Sequence, residues 1–343
     1  ITGNTGYIGG RVVERLRKTH PGIHVDGMDM GFFAHCLTNS ATLPEVYLQR
    51  QLFADVRKIT PEHLRGYDAV IHLAAISNDP MGNSFEEVTS AINHRASVAL
   101  ARAAKEARVK NYVFASSCSV YGAGGDGART EDSELNPLTA YAKSKINTET
   151  DIKSLAARDF NITCLRFSTA CGMSERLRLD LVLNDFVAGA VAERKISILS
   201  DGTPGRPLIH VDDMARAMDW AMTRTGDRGG DFLVVNVGSD QWNYQVRELA
   251  DAVAKAIPGT QVTLNPDAPP DKRSYRVDFS LFRKLAPDHQ PQVSLVLAVQ
   301  GLKQGLEAMG FRDTNFRQSP LIRLKTLSEH RERGRLNANF EWV

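Results

Sequence analysis

The sequence has little cysteine: four residues in 343, at positions 36, 118, 164 and 171. They form no C-x-x-C pair and no spacing that suits a metal ion, so reduced thiols are expected rather than a zinc site or a disulfide framework. Long apolar runs are missing as well. No stretch approaches the roughly 18 consecutive apolar residues that a membrane-spanning helix requires. There is no strong charge of one sign: 42 basic residues against 40 acidic ones leave a formal net charge of +2. The basic residues are scattered, and the densest stretch, EHRERGRLN, carries acids within it. That argues against a nucleic-acid partner. No secretory leader stands at Ile1, although the first strand reads as clipped, and a cytoplasmic location is the expectation. The remaining composition, 42% hydrophobic and 24% charged, is ordinary for a globular enzyme. The length allows one large or two modest domains.

Glycine is placed with a purpose. The chain opens ITGNTGYIGG, with Gly3, Gly6 and Gly9 at equal intervals and Thr5, Tyr7 and Ile8 between them. The segment that follows, RVVERLRKTH, has Val12, Val13 and Leu16 at helical spacing. A glycine-rich turn that feeds a helix N-terminus suits a phosphate, because free backbone N–H groups and the helix dipole both favour an anion there. Asp29 lies twenty residues beyond Gly9, at the end of a short strand, where a carboxylate would accept hydrogen bonds from an adenosine ribose. The same charge would repel a 2′-phosphate, which favours NAD over NADP. Asp26 competes for this role, but the register of the strand puts Asp29 nearer its tip.

Downstream, QLFADV, AVIHLAA, YVFASS and ITCLRFS read as brief strands bounded by turn residues or charge. Helical patterns cover about 85–107 and 139–157. Strands alternating with helices predict an α/β fold, a doubly wound parallel sheet of Rossmann type, with ligands along the edge formed by the strand C-termini. Past Cys171 the rhythm changes: DLVLNDFVAGAVAE reads as a helix, RPLIHVDD as a loop and FLVVNVG as another sheet strand. The expected division is a dinucleotide-binding domain over 1–172, to which 211–238 returns, and a smaller C-terminal substrate-binding lobe over most of 173–343. The prolines of NPDAPPDK mark a surface connection.

In AYAKSK, Tyr141 and Lys145 are four residues apart and share a helix face. A free phenol, with a pKa of about 10, is a poor base at neutral pH, and burial raises it further. Lowering it by three units takes roughly 4 kcal/mol of charge stabilisation, which Lys145 is expected to supply together with a positively charged nicotinamide. Just upstream, FASSCSVYG ends a strand on serines at the ligand edge, so Ser117 could hydrogen-bond a hydroxyl that Tyr141 deprotonates.

In this order, TGNTGYIGG, Asp29, ADV at 54–56, HLAA at 72–75, SSCSVYG, YAKSK and RPLIHVDD resemble the extended short-chain dehydrogenase/reductase family. More narrowly, they resemble its NAD-dependent nucleotide-sugar epimerase/dehydratase branch. The resemblance implies Tyr141 as base, Lys145 as its ribose-binding partner and Ser117 as oxyanion donor. It places Asp55 and Val56 at the adenine, Leu73, Ala74 and Ala75 along the dinucleotide and Asn93 nearby. It also sets Arg206, more loosely Arg273, on the diphosphate of a nucleotide sugar, and Asn184 at that substrate. Ser77, Ser119 and Thr169 are expected beside the sugar. Dehydratases of this branch follow the catalytic hydroxyl with Asp-Glu, whereas Cys118 and Ser119 stand here, which weighs against dehydration. The implied reaction is oxidation at C4 of a nucleotide-linked sugar with net epimerisation. A 4-dehydrogenase or 4-ketoreductase is the alternative, and a non-catalytic NAD-binding regulator would be expected to lack Tyr141 or Lys145. The resemblance also implies a homodimer, with helices 85–107 and 139–157 forming a four-helix bundle.

Overall fold

Short runs of β-branched and aliphatic residues become the strands of one parallel sheet in the computed structural model, which describes residues 1–77, 79–122, 127–265 and 274–343. In chain order the strands are β1 (Asp26–Asp29), β2 (Arg50–Phe53), β3 (Ala69–His72), β4 (Asn111–Ser117), β5 (Asn161–Phe167) and β6 (Phe232–Val237). β2 pairs with β1, and β3, β4, β5 and β6 follow one another in parallel register. Thr2 bridges the two halves, opposite Met28 on one side and His72 on the other. The expected first strand is therefore reduced to one bridging residue. Because every pair is parallel, Asp29, Phe53, His72, Ser117, Phe167 and Val237 all end at the same edge. This is the doubly wound α/β arrangement, with its ligand edge at the strand C-termini.

The central strands are buried on both faces, which is why YVFASS and ITCLRFS read as nearly continuous apolar runs. Helix Gly9–Thr19 turns Val12, Val13 and Leu16 into the core. Helix Val211–Thr223 packs beside it and leads into β6. A second core gathers helices Val182–Glu193, Val246–Ala256 and Leu295–Ala308 around Phe186, Trp242 and Leu302.

Several local readings need correction. RPLIH is a strand, Gly205–His210, held between Thr169–Cys171 and Asn243–Gln245. Its Pro207 needs no donor where it sits opposite Asn243, at the start of the short antiparallel pair. SNDPMG becomes helix Asp79–Ser84 for its last residues. The helix expected over 85–107 is interrupted by a π turn, Ser90–Arg95, before continuing as Ala96–Glu106. The C-terminal segment does not stay in the second lobe: Leu327, Leu336 and Phe340 are buried in the core that holds Met28, Val56 and Phe114. Most of NPDAPPDK lies outside the described residues.

Candidate active site

The opening turn is shaped by steric need. Gly3 has φ +75°, and a Cβ there would lie 2.6 Å from the Ala74 nitrogen. At Gly9 a Cβ would fall 2.3 Å from the Asn4 carbonyl oxygen, so this glycine lets the helix start against its own turn. Gly6 faces the cavity without a side chain. The helix that follows has no side-chain cap and no acid of its own in its first turn, although the Glu175 carboxylate approaches it at Gly10. This cradle fits a dinucleotide diphosphate.

The cavity over the sheet edge has a volume of about 1270 Å³. Sites for one drug-sized ligand run to roughly 1,000 Å³, so it has room for a dinucleotide and a second ligand. Gly3, Gly6, Tyr7, Ile8, Asp29, Asp55, Val56 and Leu73 to Ala75 line its cofactor side. Ser77, Ser117, Ser119, Tyr141, Lys145, Thr169 and Arg206 line the rest. Asp29 accepts hydrogen bonds from the backbone N–H of Gly31 at 2.8 Å and of Thr5 at 3.2 Å. Burial pushes its carboxyl up and these two donors pull it down. Asp26 is instead engaged by Arg50 and the Tyr67 hydroxyl, away from the cavity wall.

Four expected ligand residues stand behind the wall. Thr5 acts through its amide on Asp29. Gly9 serves the packing of the turn. Asn93 clamps the loop after β3, its Oδ1 accepting from Ile76 N at 2.8 Å and its Nδ2 donating to Ile76 O at 2.9 Å. The π turn frees the Asn93 carbonyl to accept from the hydroxyls of Ser97 and Thr148. Asn184, expected at the substrate, is fully buried and spends its amide on Gly172 N, the Tyr7 hydroxyl and Arg178 O. Arg273 lies outside the described residues.

At the centre, Lys145 is 3% exposed and donates to Ala115 O at 2.7 Å. Its ammonium stands over the rings of Phe114 and Tyr141, 4.7 and 5.5 Å from their centroids. It therefore faces the Tyr141 ring. Burial pushes that hydroxyl up to about 12, with Asp79 acting in the same sense, while Ser117 and Arg178 pull it down. Burial also brings Lys145 down to about 8 against the pull of Glu149 and Cys164. Ser117 accepts from Ser119 N at 3.1 Å, which fixes its oxygen and leaves its own proton to donate. The Ser119 hydroxyl is buried in the cavity wall with no hydrogen-bond partner among the described residues. Cys118 turns the other way, donating to Arg166 O at 3.1 Å.

Sequence reasoning missed Arg178, Asp180, Asp79 and Glu149. Arg178 forks onto Asp180 at 3.0 and 2.7 Å and reaches Ser77 Oγ at 3.0 Å. The R-x-D spacing, which puts both side chains on one side of an extended segment, is the signal that could have exposed the pair. Glu149, four residues after Lys145, is clamped by Arg166 and by the Ser116 hydroxyl.

The model of the NAD dependent epimerase/dehydratase family matches residues 1–238. UDP-glucose 4-epimerase of Mycolicibacterium smegmatis is 27% identical over 306 residues, 86% of this chain and 94% of that protein. A dTDP-glucose 4,6-dehydratase of Streptomyces niveus is 25% identical over 82% of this chain and 85% of its own length. Among solved structures, MoeE5 in complex with UDP-glucose and NAD is 26% identical with a TM-score of 0.74, covering 90% of this chain and 97% of that one.

Proposed function

Because the chain belongs to the NAD dependent epimerase/dehydratase family, we propose that it oxidises the C4 hydroxyl of a nucleotide-linked sugar and re-reduces the ketone on the opposite face, a net epimerisation. The observation that carries this reading is the convergence of Ser117, Tyr141 and Lys145 on one cavity that also contains the glycine cradle and Arg206. When bound, the oxidised nicotinamide supplies the hydride acceptor and a positive charge beside the phenol.

The chain supplies the rest. Tyr141 takes the carbinol proton, and Ser117, its oxygen already fixed by the Ser119 amide, donates to the carbinol oxygen as charge develops on it. Lys145 holds the ribose hydroxyls of the dinucleotide. Arg178, anchored by Asp180, biases Tyr141 toward its ionised form. Arg206 presents a planar fork to the substrate's diphosphate, and Ser77, Ser119 and Thr169 meet the sugar. Residues 1–172 with 211–238 form the dinucleotide half, and the rest, apart from its last segment, the substrate half.

Dehydration is a reaction of relatives such as the S. niveus protein. It needs a proton donor and a base next to the hydroxyl-bearing carbons. Cys118 is fully buried, and burial pushes its thiol far up, so it supplies neither. The test is incubation of purified protein and NAD with a panel of nucleotide sugars, following NADH absorbance and product structure. Epimerisation gives an inverted carbinol without lasting NADH. Accumulating NADH with a ketone means a dehydrogenase, and a product lighter by one water means a dehydratase; either result overturns the proposal.

A further inference from the structure

A second cavity, of about 370 Å³, adjoins the first at its β1–β2 end, and the two share Met28, Met30, Ala54 and Asp55. Tyr141, Lys145 and Ser117 line only the larger one. The smaller cavity is walled by the aliphatic and thioether side chains of Met28, Met30, Leu52 and Ile59, with Lys58 and His63 at its polar side. Glu341 and two aromatic residues complete it: Phe53, which is 67% exposed, and Trp342, which is 44% exposed.

Trp342 comes from the end of the chain, well beyond the matched residues 1–238. It is held in place from several directions. Its indole N–H donates to Met30 O at 2.6 Å, and its ring stands 5.6 Å from that of Phe32. Next to it, Glu341 pairs with Lys58 at 3.2 Å, and Arg57 donates to Asn339 O at 2.7 Å. Phe340 is fully buried beneath. An indole fixed at one edge, packed against Phe32 and His330 and with part of its surface open onto the slot, is a preorganised contact: its ordering is already complete before any ligand arrives.

We propose that Trp342 and the tail 336–343 complete the binding site for the adenine of the dinucleotide, a flat heteroaromatic base laid against the β1–β2 edge. The inference rests on the assignment of NAD to the larger cavity, with Asp29 and Val56 at its adenosine end and Asp55 shared with the smaller cavity. A base offers two apolar faces and a polar rim, which matches thioether and aromatic walls bordered by Lys58, His63 and the backbone at Asp55. The tail would thereby slow cofactor release, as suits an enzyme that returns its hydride within each turnover.

The probes are AMP, nicotinamide mononucleotide and NAD. Trp220 and Trp242 are buried, at 4% and 5% exposure, so a ligand-induced change in tryptophan emission reports mainly on Trp342. AMP and NAD are expected to change the emission of the wild-type protein and nicotinamide mononucleotide is not. In Trp342→Phe the emission response is expected to vanish while calorimetry still shows NAD binding. In Trp342→Ala, AMP and NAD affinity should fall roughly tenfold, the size of one base–aromatic stack, with nicotinamide mononucleotide unaffected. Wild-type protein that binds AMP and NAD without any change in emission overturns the assignment of the tail and leaves the dinucleotide reading intact. Equal losses for AMP and nicotinamide mononucleotide in Trp342→Ala also overturn it, because they would show a displaced loop. Protein that binds none of the three overturns both.

Discussion

At Tyr141 two influences oppose each other. Burial and Asp79 hold the proton on, and Ser117 and Arg178 loosen it. With a pKa of about 12 the phenol would be ionised about once in 10,000 molecules at pH 8, so charge brought into the cavity by the cofactor has to complete the activation. Tyr141→Phe is expected to cut the turnover of nucleotide sugars roughly a thousandfold while NAD still binds, measured by stopped assay and calorimetry. An untouched rate would remove the residue from the mechanism. If Asp29 meets the ribose as the family resemblance implies, Asp29→Ser should lower NAD affinity and raise NADP affinity, compared by titration of both. His72 sets a different dependence. Its ring bonds Thr2 and Ser97, each at 2.7 Å, and burial brings it down to about 3. Between pH 6.5 and 3 the unfolded chain protonates this histidine and the folded chain does not. Stability is therefore complete above about 6.5 and is lost as pH falls, by up to roughly 5 kcal/mol. Urea midpoints at pH 7 and pH 4 should show the loss, and His72→Gln should flatten it.

Among the elements, the glycine turn is the least tolerant. Gly3→Ala must accommodate both a positive φ and a 2.6 Å overlap with the backbone of residue 74, and is expected to lower NAD affinity at least tenfold, with a lower melting temperature. The turn, the helix behind it, the parallel sheet and the Tyr141 helix were all legible in the sequence, because each repeats a local rule of period or spacing. What was not legible depends on partners distant in the chain. Arg178 bonds Ser77, 101 residues away, and Asn184 is drawn from the substrate side to the Tyr7 hydroxyl, 177 residues away. Pro207 hid a strand, because its penalty disappears where no ladder donor is needed. The π turn at 90–95 was invisible because its apolar period continues through it. Lys145 could be placed on the face of Tyr141 from spacing alone, but whether it meets ring or hydroxyl depends on Ala115 O, which anchors it.

Taken as a whole, the large cavity draws its lining from Gly3 through to Arg323, and Glu341 and Trp342 line the smaller cavity beside it. No helix among the described residues is long and apolar enough to cross a membrane. The homodimer proposed through the 85–107 and 139–157 helices would join surfaces that expose Arg95, Arg102, Lys105, Lys143, Asn147 and Asp151. Light scattering at micromolar concentration should show a dimer. A monomer would remove the proposal. The four thiols have a further use. Cys36 is 3% exposed and the other three are sealed completely, one beneath the C-terminal segment, one behind Ser117 and two inside the cores. A thiol-specific dye should stay colourless on the native protein and react only as each region opens. The chain thus carries built-in clocks for its own breathing, and the order in which they run, with and without nucleotide, would chart which parts the ligand quiets first.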